Sequence, residues 1–347
     1  MAESLTQNFN HLKIHTQYSI CEGAIKIDDL QEYSKSNRIK SLGLCDTSNL
    51  CGALEFAEKI SKSGTQPIIG TQINIKIHDT IGLLPLFALN EIGYKNIINL
   101  SSVSYLKNDE LSDPHVKFDY LLNNSDGIAL FSGTVFGLFG KLFQKGKFTE
   151  IQDLYRNIKS IFGDRFYIEV QRHRDLNENS FEKFNLKKSS DLEIPIIATN
   201  EVYYLDKNMH EAHDALICIG NKTYVNEKNR LKLTDQHYFK NNSEMSELFA
   251  DLPEALENNY NFPLRCNYRP LFSNPILPNI SQDKGGDADD ILRKDSLDGL
   301  KTKFEKVFKI QINDIETNQS YLDYKKRLDH ELSIIIEMKY ASYFLIV

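Results

Sequence analysis

Two periodicities alternate along the first 270 residues. Short runs with apolar residues at every second position predict strands, and stretches with apolar residues three and four apart predict helices. The segment from Phe9 to Ser19 opens the pattern, with Leu12 and Ile14 on one side of a strand and His11, Lys13 and His15 on the other. If the apolar side packs outward against helices, the other side carries three polar groups into one space at a strand end. A helix at 27–36 follows, with Asp28 and Asp29 favourably placed in its first turn. Next come a strand at 41–45, a helix at 50–63 closed by Gly64, strands at 67–75 and 82–89, and a helix at 93–105. The unit then recurs: strand 127–131, a helical region from about 136 to 161, strand 165–171, helix 180–190, strand 194–199 and helix 209–219.

Strands alternating with helices in units of roughly 25–40 residues argue for parallel strands joined by crossover helices. Polar residues recur at the strand C-termini and no Gly-rich phosphate turn occurs. The expected fold is therefore α/β, a distorted β/α (TIM-like) barrel rather than an open doubly wound sheet. The pattern stops near residue 270, and Pro270, Pro275, Pro278 and Gly285-Gly286 mark a linker over 271–287. From Ala288 onward helices are expected at 290–308 and 319–338, with Leu322, Leu328, Leu332 and Ile335 spaced for one buried face. Tyr343 to Val347 is a strand-like apolar run without a turn or polar tail, so the chain reads as a fragment cut inside a second domain.

Composition narrows the class. With 347 residues, 41% hydrophobic and 26% charged, the chain is that of a soluble globular protein. It shows neither an apolar run of the roughly 20 residues that a membrane helix needs nor a secretory signal in Met1 to Gln7. Cysteines 21, 45, 51, 218 and 266 form no CxxC, match no structural zinc spacing and read as free thiols in a reducing cytoplasm. A net charge of −7 without a basic stripe argues against direct duplex binding by this segment.

The candidate chemistry centres on the first strand. Two histidines two apart would make a metal hand with Glu22 as a third ligand, but one of those positions is Lys13, which cannot ligate while protonated. His210 and His213, one turn apart, read as capping or packing residues. His173, between Arg172 and Arg174, reads as part of an exposed strand-end basic cluster. The acidic, Gly-rich stretch 283–290 lacks the spacing and the terminal Glu of a calcium loop and reads as solvated linker.

Several segments together carry a resemblance: His11 to Ser19, Asp46 to Gly52, Gln66 to Gly70, Gly93 to Asn96, Leu130 to Gly133, Ala198 to Glu201 and Phe249 to Ala255. In order and spacing, nearly the whole chain resembles the N-terminal part of the bacterial DNA polymerase III alpha-subunit family. The resemblance implies a PHP (polymerase and histidinol phosphatase) domain over 1–270, a distorted seven-stranded β/α barrel. A linker at 271–287 and the mostly helical beginning of a polymerase palm domain at 288–347 would follow. In the family's metal-bearing members, His, Asp, Glu and Cys at the strand ends hold a trinuclear cluster. Carried over, that pattern keeps His15 and Glu22. It puts Lys13 where the first histidine stands, Thr47 after Asp46 in place of a histidine, Gln72 for a glutamate and Thr134 for a cysteine. Glu201 stands for an aspartate and Tyr203 for a histidine.

Each replacement removes an anionic or imidazole ligand, so the resemblance implies a metal-free, catalytically silent barrel. Such a barrel would act as scaffold and docking site for the proofreading exonuclease (epsilon) subunit within the polymerase III holoenzyme. The full-length parent would be a cytoplasmic DNA-directed DNA polymerase using magnesium, with its catalytic aspartates outside this chain. The alternative is a metal-dependent phosphoesterase or intrinsic 3′–5′ exonuclease using residual His15, Glu22 and Glu201. An independent hydrolase of the same barrel type is disfavoured by the palm-like residues 288–347.

Overall fold

The computed structural model describes residues 8–108, 113–273 and 287–347. The chain divides into two compact units, meeting at Phe272 and Ser273. The first is built on strands β1 (His11–Ile14), β2 (Ser41–Thr47), β3 (Gln66–Ile77), β4 (Thr80–Ala88), β5 (Val116–Lys117), β6 (Ile128–Phe131), β7 (Phe166–Val170), β8 (Ile196–Ala198) and β9 (Glu201–Val202). Its helices are α1 (Ile27–Ser36), α2 (Ala53–Lys62), α3 (Glu91–Leu106), α4 (Phe118–Asn123), α5 (Leu138–Gln144), α6 (Phe148–Phe162), α7 (Glu178–Leu192), α8 (His210–Asn221), α9 (Asn242–Leu248) and α10 (Pro253–Asn261).

The strands form one sheet in the order β8-β7-β6-β4-β3-β2-β1-β9, with β5 added beside β3. Pairing is parallel except at β4, which runs antiparallel to both β3 and β6. The two outer strands of this path, β8 and β9, are separated in the chain by only Thr199 and Asn200. The sheet's edges are therefore brought together covalently, and the curled sheet closes on a kink. Counting β8 and β9 as one kinked stave gives seven, the distorted TIM-like barrel expected from the alternating pattern.

Each stave sends a residue into the interior, Leu12, Cys45, Ile68, Phe87, Phe131, Tyr167 and Ile197, floored by Phe262 and Cys266. Their strand neighbours face outward under the helices. Ile14, Leu42, Leu44 and Ile69 pack beneath α1 and α2, while Leu84, Leu130, Ile168 and Ala198 join the larger cluster of α3, α5, α6 and α10. Gly64 closes α2 at φ +80, as its position after the apolar stripe predicts.

The first strand departs from simple alternation. His11 pairs with Leu42 but Ile14 with Leu44, so three residues face two and β1 bulges. Leu12 consequently turns inward and Ile14 outward, instead of sharing a face. His11 leaves the polar set altogether and lies outside the barrel against Phe239, ring centroids 4.0 Å apart. The bulge is accommodated by Gly43, where a Cβ would stand 2.3 Å from the Leu12 carbonyl oxygen.

The second unit is helical: α11 (Ala288–Lys306), α12 (Ile312–Ile315), α13 (Gln319–Glu337) and α14 (Ala341–Ile346). Ala288 and Leu292 cluster with Leu332 and Ala341, while Phe304 clusters with Ile315 and Tyr321, so α11 and α13 run antiparallel. Tyr321 takes the buried place expected for Leu322, which is 43% exposed. The apolar run at 343–347 is helical rather than extended as far as Ile346, since the chain is already in a helical turn from Ala341. The expected linker falls mostly at 274–286, outside the described residues.

Candidate functional site at the barrel mouth

Above the apolar floor, the C-terminal strand ends carry a polar layer. From the bulged β1, the Lys13 ammonium enters it fully buried, 3.2 Å from Glu201 Oε1 of β9 and 3.5 Å from Glu169 Oε1 of β7. Burial alone would lower the lysine pKa, but the carboxylates of Glu169 and Glu201 more than reverse this and hold it above its ordinary value. Glu201 is buried too, which would raise its pKa. Lys13 and His15 outweigh that and keep it well below the usual carboxylate range. Glu169 accepts hydrogen bonds from Gln171 Nε2 at 2.8 Å and from the Thr199 hydroxyl.

His15 completes the group. Its Nε2 lies 3.1 Å from Glu201 Oε1, its Nδ1 3.3 Å from Ser19 Oγ, and its ring stacks on Tyr203 at 4.4 Å. Tyr203 also stacks on His213, whose Nε2 donates to the Glu22 carbonyl at 2.8 Å. His213 is thus a packing and anchoring residue, its pKa pushed down to about 4 by burial.

The remaining positions of the expected metal set point elsewhere. The Glu22 carboxylate accepts from the Thr47 hydroxyl at 2.6 Å, and Thr47 in turn accepts from Gln72 Nε2 at 3.0 Å. Asp46 accepts from the Thr16 backbone at 2.6 Å and from the Thr16 and Ser19 hydroxyls at 2.8 Å, fixing the loop after β1. Thr134 caps the turn after β6 by accepting from Phe136 N–H at 3.1 Å. Lys13, His15 and Glu201 therefore converge, while Glu22, Thr47 and Gln72 form a second string. The carboxylate that pairs with Lys13 besides Glu201 is Glu169. Nothing in local sequence marks Glu169, because its inward direction depends on barrel closure.

His173 is a buried residue. It is 1% exposed rather than part of an open basic cluster, and stacks on His237 with centroids 4.1 Å apart and planes 3° from parallel. Burial, and then the neighbouring His237, hold its pKa well below the ordinary histidine value. Arg172 turns away to Glu182 and Asp251 at 2.7 and 2.6 Å. Among the described residues, the trio of His, Cys, Asp or Glu side chains gathered closely enough to hold one ion is His173, Asp175 and His237, with ligand atoms within 4.8 Å of one another.

A curled, mostly parallel sheet with charged side chains gathered at its C-terminal mouth is the layout on which β/α barrel proteins carry their chemistry. Residues 11–173 match the PHP domain family, and residues 290–347 match the family described as bacterial DNA polymerase III alpha NTPase domain. The chain is 37% identical over 98% of its length to the DNA polymerase III subunit alpha of Rickettsia bellii, covering 29% of that protein. It is 35% identical over 100% of its length to that of Caulobacter vibrioides, covering 30% of it. It thus spans under a third of these relatives. A solved amidohydrolase from Chromobacterium violaceum, with bound sulfate and no metal, aligns over 56% of this chain and 87% of its own at 11% identity and a TM-score of 0.38. The chain belongs to the bacterial DNA polymerase III alpha-subunit family, matching its N-terminal region, and its barrel is of the PHP type.

Proposed function

We propose that this chain serves as the PHP region of a replicative DNA polymerase, a scaffold whose barrel mouth is held by an internal ion-pair network in place of metal ions. The observation that carries this is the Lys13 ammonium, fully buried between Glu169 and Glu201 at 3.5 and 3.2 Å. A unit positive charge about 4 Å from a divalent cation is repelled by about 8 kcal/mol at an effective dielectric of 20. Glu201 meanwhile has its Oε1 taken by both Lys13 and His15. Thr47 and Gln72 supply only neutral oxygens and nitrogens, and Glu22 is turned to Thr47.

The full-length polypeptide would extend DNA with deoxynucleoside triphosphates by a two-magnesium mechanism, in the cytoplasm and within the holoenzyme. The barrel would brace the palm and dock the separate proofreading exonuclease. The resemblance to alpha subunits supports this role, and a silent mouth creates the need for that partner.

The test is nuclease and phosphoesterase assay of the chain with zinc or manganese, beside primer extension by the full-length polypeptide. No hydrolysis by the chain, with extension only by the full-length protein, is expected. Metal-dependent hydrolysis that disappears in His15→Ala would overturn the scaffold reading in favour of a hydrolase on His15, Glu22 and Glu201.

A further inference from the structure

The kink at Thr199–Asn200 that closes the barrel organises a second cluster on the far side of Glu201. The Glu201 carboxylate faces Lys13 and His15, whereas its backbone faces the two stacked histidines. Its N–H reaches His173 Nε2 at 3.2 Å, and its carbonyl lies 3.3 Å from His237 Nδ1. Asn200 holds the same edge of His173, with Oδ1 3.1 Å from Nε2. Asn200 is itself oriented, because Oδ1 accepts from Lys240 Nζ at 3.0 Å and Nδ2 donates to the Tyr238 carbonyl at 2.9 Å.

These contacts dictate the chemistry of the opposite ring edges. His237 Nδ1 faces a carbonyl oxygen and so carries the proton. Its Nε2 is then a bare lone pair, buried, without a hydrogen-bond partner, and 3.5 Å from Asp175 Oδ2. A lone pair facing a carboxylate oxygen at that distance is repulsive, and a cation shared between them, a proton or a metal ion, relieves it. The side chains of His237 and Asp175 are 3% and 6% exposed, so solvent does little to relieve it. On His173 the Glu201 N–H donates to Nε2, so without metal the ring proton sits on Nδ1, 3.6 Å from Glu178 Oε1; an ion at Nδ1 would move that proton to Nε2, where Asn200 Oδ1 would accept it. Glu178 is fixed at the start of α7 by accepting from the His173 and Arg174 backbone N–H groups at 2.8 and 2.7 Å.

We propose that His173, Asp175 and His237 bind a single divalent transition-metal ion of the zinc type, at a site separate from the Lys13 mouth. Two imidazoles and a carboxylate are a donor set suited to zinc. A tetrahedral ion with bonds of about 2.0–2.2 Å holds its donors about 3.4 Å apart. The three ligand atoms, within 4.8 Å of one another, close on it by small side-chain rotations. An outer contact of the kind that orients metal-bound histidines is already in place from the Glu201 carbonyl to His237, and Asn200 Oδ1 stands beside His173 Nε2 to accept its proton in the metal-bound form. The ion would tie the segment after β7 to the segment before α9, beside the closing kink, bracing the barrel where its sheet lacks a hydrogen-bonded seam.

The test is calorimetric titration of the 347-residue chain with zinc at pH 7, with cobalt(II) as a spectroscopic stand-in. One equivalent of zinc should bind, with a rise in melting temperature. Affinity should fall at least about tenfold in His237→Gln and, separately, in Asp175→Asn, and stay unchanged in His15→Ala. The cobalt-loaded chain should show visible d–d absorption that both site variants lose. Matching melting temperatures without metal establish that the variants fold, and either one alone suffices. Absence of stoichiometric binding by the unaltered chain overturns the inference and leaves the scaffold reading intact. Binding lost in His15→Ala but kept in both site variants overturns the inference, and the metal-free mouth with it.

Discussion

Lys13 Nζ stands 3.2 Å from Glu201 Oε1 with both side chains inside the barrel mouth, joining the first strand to the last. Removing one partner of a buried pair leaves an uncompensated charge and costs about 3–5 kcal/mol. Lys13→Met should therefore destabilise the barrel by about that amount in urea unfolding, because Glu169 and Glu201 then face each other without a cation. Adding Glu201→Gln to Lys13→Met should recover most of the loss. A double variant no more stable than the single one would mean that the pair contributes little.

Acid should weaken the fold through its buried histidines. Burial, opposed in part by the bond to the Lys240 carbonyl, pushes the His11 pKa down from 6.5 to about 4, and burial does the same to His213. A histidine with a lowered folded pKa stabilises the native state above pH 6.5, and that contribution is lost as the pH falls toward 4. The expected slope is at most about 1.4 kcal/mol per pH unit for each. Glu201, held below the carboxylate range, adds a loss only at still lower pH. Melting temperature against pH should flatten between pH 6.5 and 4 in His11→Gln and in His213→Gln; parallel curves would refute the assignment.

Gly43→Ala should be harmful out of proportion to one methyl group. The new Cβ would stand 2.3 Å from the Leu12 carbonyl oxygen and 2.6 Å from its Cα, and backbone cannot swing aside as a side chain can. A loss of about 1–3 kcal/mol or more is expected in the urea midpoint. A neutral Gly43→Ala would show that β1 does not need its bulge.

Asn259 fastens α10 to β8 and to the residue that leads into β1. Its Nδ2 donates to the Asn10 and Ala198 carbonyls at 2.9 and 3.0 Å, and its Oδ1 accepts from Asn10 N–H at 2.8 Å. Asn259→Leu is close in volume but strands three buried backbone groups, each costing about 1–3 kcal/mol. Asn259→Leu should lower stability by more than about 3 kcal/mol, with faster hydrogen exchange at Asn10. Unchanged exchange there would count against the clamp.

The alternation of short apolar runs with amphipathic stretches already determined the barrel class and most element positions, because strand and helix periods are local properties that burial on either side of a sheet imposes. Gly64 as a helix stop and the acidic first turn of α1 were legible for the same reason. That Lys13, Thr47, Gln72, Thr134 and Tyr203 are poor metal donors was legible as residue types. What the tertiary structure alone decided was direction and partnership. The bulge at β1 sent Leu12 inward and His11 outward, a one-residue change that no periodicity reports. The second carboxylate beside Lys13 proved to be Glu169, about 155 residues away in the chain, because parallel strands align residues that local sequence cannot relate. His173 and His237 meet for the same reason: the closing kink at Asn200 brings both to Glu201, and only closure of the barrel creates that neighbourhood.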